Sequence, residues 1–252
     1  LGSLRALWPE VPVLALTATA TERCRDDVHT LLRLRTNTHL FSTSFNRPNL
    51  EYAVVRKSAK KEAAVEQLLA YIRHWPAGTS GIVYCLSRDE TEYVDEARRR
   101  RGVSSAHYHA GMSAGARQRV QRAWQLGAAA SRVDVVCATI AMGMGIDKAD
   151  VRYVVHFTMC KSLEGYYQES GRAGRDGQRS ECLLLYAKKD HARVVALATG
   201  AGPFKRKRRS GALSAAAERN VEAVQAVKEY CEGGGGRCRR QILLSHFGEE
   251  AR

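Results

Sequence analysis

Two arginines three residues apart, Arg172 and Arg175, carry the most chemistry in this sequence. They lie in Gly165-Tyr-Tyr-Gln-Glu-Ser-Gly-Arg-Ala-Gly-Arg-Asp-Gly177, where the flanking glycines let a phosphate come close to the backbone. A guanidinium keeps its charge, and its planar fork meets two phosphate oxygens at once. With Gln168 just upstream, the string has the chemistry of an arginine finger aimed at the γ-phosphate of ATP held by another lobe. Such an arginine stabilises charge developing in phosphoryl transfer and is typically worth about 10³–10⁵ in rate. The plain alternative for so short a motif is a basic, solvated turn.

Other groups are less specific. In Ala138-Thr-Ile-Ala-Met-Gly-Met-Gly-Ile-Asp147, two glycines permit close backbone approach, Thr139 offers a hydroxyl and Asp147 a carboxylate. The string fits a phosphate-contacting loop or a simple Gly-rich turn. Thr17 and Thr19 suit a hydroxyl relay or an ordinary strand-to-helix cap. His109 is a lone histidine at a strand end, and Tyr166-Tyr167 fits base stacking or helix packing. Arg98–Arg101 reads as the solvated end of a helix, and Lys205–Arg209 as a nucleic-acid or import patch or a soluble loop. Cys231 and Cys238 are two thiols at a spacing unusual for zinc, too few for a closed tetrahedral site. No Gly-x₄-Gly-Lys-Ser/Thr and no Asp-Glu-x-His/Asp string occurs in the 252 residues, so the phosphate cradle and magnesium ligand of P-loop hydrolysis are missing from them.

These residues need a frame. Apolar runs predict strands at Val11–Thr17, Leu50–Val55, Gly81–Cys85, Ala106–His109, Val133–Ala138, Tyr153–Phe157 and Cys182–Ala187. Helices are expected at Thr21–Leu34, Lys60–His74, Asp89–Arg101, Ala114–Gln125, Ser162–Ala173, Lys189–Leu197, Ala215–Cys231 and Arg237–Phe247. Strands and helices that largely alternate predict an α/β fold with a parallel, doubly wound sheet. Its functional loops belong at the carboxyl ends of the strands, where the Thr139–Asp147 and Gly-Arg strings fall. The 44% hydrophobic content allows a packed core, and a net charge of +14 favours a polyanionic partner. Seven cysteines, several inside apolar runs, suggest a reducing compartment, and no run is long enough to span a bilayer.

Taken in order, six strings resemble the second motor lobe of the RecQ-family ATP-dependent DNA helicases, of the Bloom-syndrome type. They are Ala15-Leu-Thr-Ala-Thr-Ala20, Ser44-Phe-Asn-Arg-Pro-Asn-Leu50, Gly81-Ile-Val-Tyr-Cys-Leu-Ser-Arg88, Tyr108-His-Ala-Gly111, Cys137 to Lys148, and Gly165 to Gly177. The resemblance implies that residues 1–42 end a first RecA-like lobe, 43–200 form the second, and 201–252 start a helical, incomplete zinc-binding subdomain. It implies γ-phosphate sensing by Arg172, Arg175 and Gln168, and nucleotide–DNA coupling by Gly145 and Asp147. It places Ser87, Arg88, His109, Thr139 and Lys161 on single-stranded DNA, and makes Cys238 the first of four zinc ligands, with Cys231 outside the set. The implied cofactors are ATP and Mg²⁺, both needing the first lobe, and Zn²⁺. The implied partner is DNA, as single strands and duplex junctions, in the nucleus. Met159-Cys160-Lys161 departs from the family's Leu-Pro-Lys, which points to a less rigid loop, and Gly202–Gly211 and Gly233–Gly236 are unusual. A non-catalytic DNA-binding or scaffold protein derived from such a helicase is the alternative. An RNA helicase is disfavoured by Cys238-Arg-Arg and Ser44-Phe-Asn-Arg-Pro48.

Overall fold

The structure, a computed structural model, describes residues 2–126, 133–143, 147–200 and 214–250. In chain order the elements begin with α1 (Gly2–Leu7), α2 (Glu22–Leu31), β1 (Leu50–Arg56), α3 (Lys61–Arg73), β2 (Gly81–Tyr84) and α4 (Arg88–Arg99). Next come β3 (Ser105–Tyr108), α5 (Ala114–Leu126), β4 (Val135–Ala138), β5 (Tyr153–His156) and α6 (Leu163–Ser170). The last are β6 (Ser180–Tyr186), α7 (Lys188–Ala198), α8 (Ala215–Cys231) and α9 (Arg239–His246). They fall into two compact units, residues 48–236 and the pair of segments 1–47 and 237–252.

The larger unit is built on one sheet of six strands in the order β1-β6-β5-β2-β4-β3, every pair parallel. Side chains alternate across a strand, so neighbouring residues enter opposite cores. Val83, Val135, Cys137, Tyr153, Val155, Leu183 and Leu185 bury against Ala64, Val65, Leu68, Leu69 and Ile72 of α3 and Val94 of α4. Their strand neighbours Ile82, Tyr84, Val136, Ala138, Val154 and Cys182 bury on the other face with Trp124 of α5. Both faces are covered, as the nearly unbroken apolar runs require. Gly81 is needed for one close approach: a Cβ there would lie 2.0 Å from the Tyr153 ring.

The six strands expected between residues 50 and 187 all form, with ends shifted by a residue or two. The one expected at Val11–Thr17 does not. Leu14 and Leu16 are 78% and 84% exposed, and no described segment pairs with this run. An apolar run becomes a strand only where another strand takes up its amides and carbonyls. The following helix is capped by Thr21, whose Oγ accepts from the Cys24 amide at 3.3 Å. It stops at Leu31, short of the expected Leu34, because Arg33 turns to a φ of 50°.

The arginine run also differs from expectation. Arg98 is fully buried rather than solvated, with Nη1 donating to Cys137 Sγ at 3.0 Å. It continues the buried stripe Glu90, Val94, Asp95 of α4, the face that helical periodicity turns to the sheet.

In the smaller unit, the loop after residue 43 is fastened to α9 and the residues behind it. Arg240 Nη1 donates to Asn46 Oδ1 at 2.8 Å and to the Arg47 carbonyl at 2.6 Å. Phe45 stacks on Phe247 at 4.6 Å, its amide donates to Glu249 Oε2 at 2.7 Å, and Ser44 Oγ donates to Glu249 Oε1. The Ser-Phe-Asn-Arg and Cys-Arg-Arg strings, about two hundred residues apart, thus meet. Of the tetraglycine, Gly233 and Gly235 take φ of 97° and 75°, a path closed to most side chains. Residues 201–213, with Lys205–Arg209, lie outside the described residues.

Candidate phosphate-binding edge

The Gly-Arg loop is held at four points. Ser162 caps α6, its Oγ accepting from the Gly165 amide at 3.1 Å. Ala173 is fully buried in the core beside β4 and β5. Gly174 adopts φ 55°, and a Cβ there would lie 2.5 Å from Asn49 Nδ2 and 2.7 Å from the Gln178 carbonyl. Asn49 Nδ2 donates to the carbonyls of Gly174 at 2.8 Å and Gln178 at 2.9 Å. This glycine therefore serves the turn that aims the arginines, a different need from the phosphate approach expected of it. Arg152 donates to Asp176, and that hydrogen bond holds the Asp176 carboxyl below the usual carboxylate range.

The two arginines occupy different settings. Arg175 is exposed and its Nη1 donates to Asp147 Oδ1 at 3.0 Å. Arg172 is half-buried, with its guanidinium beside the Tyr84 ring and Gly143, where a Cβ would lie 3.5 Å from Nη2. Its Nε is shut off from solvent with no hydrogen-bond partner among the described residues. Burial pushes the Tyr84 phenol well above its ordinary value, so it stays a neutral donor, here to the Met142 carbonyl at 3.1 Å. Gln168 is exposed on α6, one turn before Arg172. Gly145 lies outside the described residues.

The residues expected at nucleic acid line the same edge. Ser87 caps α4, its Oγ accepting from the Glu90 amide at 3.2 Å and from Arg193 Nη2 at 3.3 Å, which leaves its proton to donate. Arg88 is exposed and lies over Gly111. His109 is buried with both ring nitrogens occupied, Nε2 with Glu92 at 2.9 Å and Nδ1 accepting from the Gly111 amide at 3.2 Å. Thr139 follows β4, its Oγ accepting from the Ala141 amide at 3.4 Å. Lys161 is exposed at the mouth of a 230 Å³ cavity shared with His156 and Glu169. Met159 and Cys160 before it are buried, so packing fixes the segment expected to be loose. Tyr166 is fully buried among Tyr52, His156 and Tyr230, which excludes it from base stacking.

Two buried polar groups escaped the sequence reading. His156 Nε2 meets Glu169 Oε2 at 2.7 Å, tying β5 to the helix that precedes the arginines. A polar residue interrupting Val154-Val155-His156-Phe157 was its one signal. Lys57 Nζ donates to Thr158 at 2.8 Å and Asp190 at 3.2 Å, and Thr158 donates on to Glu90 at 3.1 Å. Glu90 also accepts from the Leu86 amide at 2.8 Å and from Arg193 at 3.2 Å, so the loop carrying Ser87 rests on a satisfied buried carboxylate.

Cys238 is exposed at the start of α9 and caps nothing with its side chain. Among the described residues no three His, Cys, Asp or Glu side chains gather as metal ligands, and Cys231 is buried in its own unit. One thiolate falls short of the four ligands a structural zinc takes. None of the helices in the described residues is long and apolar enough to cross a membrane.

A family model of the helicase conserved C-terminal domain matches residues 60–177, and one for RecQ zinc-binding matches residues 188–252. ATP-dependent DNA helicase Q-like 4B of Arabidopsis thaliana is 43% identical over 99% of this chain and 21% of its own length. RecQ-like DNA helicase blm-1 of Caenorhabditis elegans is also 43% identical, over 99% of this chain and 24% of its own. ATP-dependent DNA helicase RecQ of Pasteurella multocida is 41% identical over 99% of this chain and 36% of its own. The chain thus spans about a fifth to a third of these relatives. A crystal structure of a DEAD box protein from Methanococcus jannaschii matches with a TM-score of 0.51 at 19% identity, over 68% of this chain and 44% of that one. At that identity the likeness concerns the fold alone, a RecA-like helicase lobe.

Proposed function

Since the chain belongs to the RecQ helicase family, we propose that it supplies the second motor lobe of an ATP-dependent 3′-to-5′ DNA helicase. In this reading residues 43–200 are that lobe, 1–42 the end of the first and 201–252 the start of the zinc-binding subdomain. The exposed Leu14 and Leu16 fit a strand of the first lobe's sheet. The protein would act on single strands and duplex junctions in recombination and repair, in the nucleus.

The observation that carries the proposal is the Arg175–Asp147 pair on a rigidly seated loop. ATP with Mg²⁺, held by the first lobe, supplies the phosphoryl group and the drive for lobe closure. Arg175 exchanges one anion for another, leaving Asp147 for γ-phosphate oxygens. Arg172, wedged beside Tyr84, keeps the base of the loop in place while presenting its outer nitrogens, and Gln168 stands four residues before it on α6. The released Asp147, with Gly145, passes the change to the DNA-contacting edge. There Ser87 donates its proton to a phosphate, Arg88 and Lys161 pair with the backbone, and Thr139 adds a hydroxyl. His109 acts through the Gly111 turn that supports Arg88. Cys238 would furnish one of four zinc thiolates, and no step depends on it.

The test is the purified chain. It should bind single-stranded DNA with an affinity that falls steeply with salt, and turn over no ATP. Hydrolysis by pure material would overturn the lobe assignment.

A further inference from the structure

We propose that the cleft at the carboxyl ends of β1 and β6 is a second phosphate site, which extends the single-stranded DNA track beyond the motor motifs. The cleft measures about 900 Å³, and its lining includes Arg56, Lys57, Ser58, Lys188, Lys189 and Glu232. Four cations thus face one carboxylate, which is itself engaged by the Tyr186 hydroxyl at 2.8 Å. Two of the cations are spent on the protein. Lys57 is buried on Thr158 and Asp190, and Lys189 donates to the Ala59 carbonyl. Arg56 and Lys188 are exposed, and neither has an ion pair among the described residues.

Their placement follows from register. Arg56 ends β1 opposite Tyr186, the last residue of β6, and Lys188 follows two residues beyond at the start of α7, so both cations stand at the carboxyl ends of neighbouring strands. Lys188 opens α7, whose cap residue Ala187 makes no side-chain hydrogen bond, so the helix adds its positive end to the cleft. Strand order puts β1 three places from β2, roughly 14 Å from the Ser87 loop, with Lys161 after β5 in between. All these groups lie on one edge of the sheet. A single strand seated on Ser87, Arg88 and Lys161 would meet Arg56 and Lys188 a few phosphates further on. This placement on the DNA edge, together with the net charge of +14, favours a nucleic-acid strand over an acidic peptide. The inference rests on the DNA-binding reading given above.

The test uses the whole chain with Arg56→Ala and Lys188→Ala combined. Fluorescence anisotropy would follow binding to two oligonucleotides, of about 4 and about 16 nucleotides, the usual limits of single-strand site size. The longer one should bind about tenfold more weakly to the variant, with a salt slope lower by about 1.4 for two lost phosphate contacts. The shorter should bind as before, and the charge-preserving pair Arg56→Lys, Lys188→Arg should keep the affinity for both. Weakening of both oligonucleotides alike, or of neither, overturns the extended track. If the unmodified chain binds neither, the DNA-binding reading itself falls and takes this inference with it.

Discussion

Arg175 donates to Asp147 across 3.0 Å, so the cation best placed to act on a phosphate is held by a carboxylate from the neighbouring motif. The Asp147 side chain is 90% exposed. Ion pairs this wet are worth about 0–1 kcal/mol, which makes the pair an exchangeable hold. Asp147→Ala should therefore cost the fold less than about 1 kcal/mol by urea unfolding. A larger loss would make Asp147 a strut.

The loop beneath that pair should be far less tolerant. Gly174→Ala meets Asn49, Gln178 and Ser180 within 2.8 Å and must also hold φ 55°. The left-handed conformation alone costs about 1–3 kcal/mol. Gly177, at φ 79° with open space around it, provides the comparison. Gly177→Ala should lose only the conformational part, and an equal loss at both positions would refute the role given to Asn49.

Lys57 and Asp190 are both nearly buried, their side chains 8% and 7% exposed. Removing one partner strands a charge, so Asp190→Ala should destabilise by about 3–5 kcal/mol. Lys57→Met with Asp190→Leu should recover most of that loss, because two apolar groups leave no charge behind. Calorimetry on the three proteins decides it.

Asp176 should contribute a pH dependence whose sign follows from its hydrogen bond to Arg152. Its folded pKa lies below the unfolded value of about 3.9, chiefly through the Arg152 hydrogen bond. The stabilisation is complete above that value and is lost as pH falls through the folded pKa. Asp176→Asn should thus be less stable than the parent at neutral pH, with the difference shrinking below about pH 4. A difference that persists unchanged in acid would remove Asp176 from the account.

Much of the fold was legible because Val133–Ala138 and its fellows are too apolar to lie anywhere but inside a covered sheet. Val11–Thr17 is equally apolar and forms no strand, since composition records fitness for burial and says nothing about a partner. Arg98 sat in a run of four arginines that resembled a solvated helix end, although the stripe Glu90, Val94, Arg98 points at the sheet. The motifs located the candidate site, and what fastens it was hidden. Asn49 reaches Gly174 and Glu169 reaches His156, and no local spacing connects either pair. The relay from Lys57 through Thr158, Glu90 and Arg193 to Ser87 was hidden for the same reason.

The central claim is that Arg175 serves a nucleotide held elsewhere. Steady-state ATP hydrolysis by the full-length protein with Arg175→Ala, stimulated by single-stranded DNA, tests it most directly. Turnover should fall by about 10³ or more while DNA affinity stays within about twofold. Turnover equal to that of the unmodified protein would contradict it.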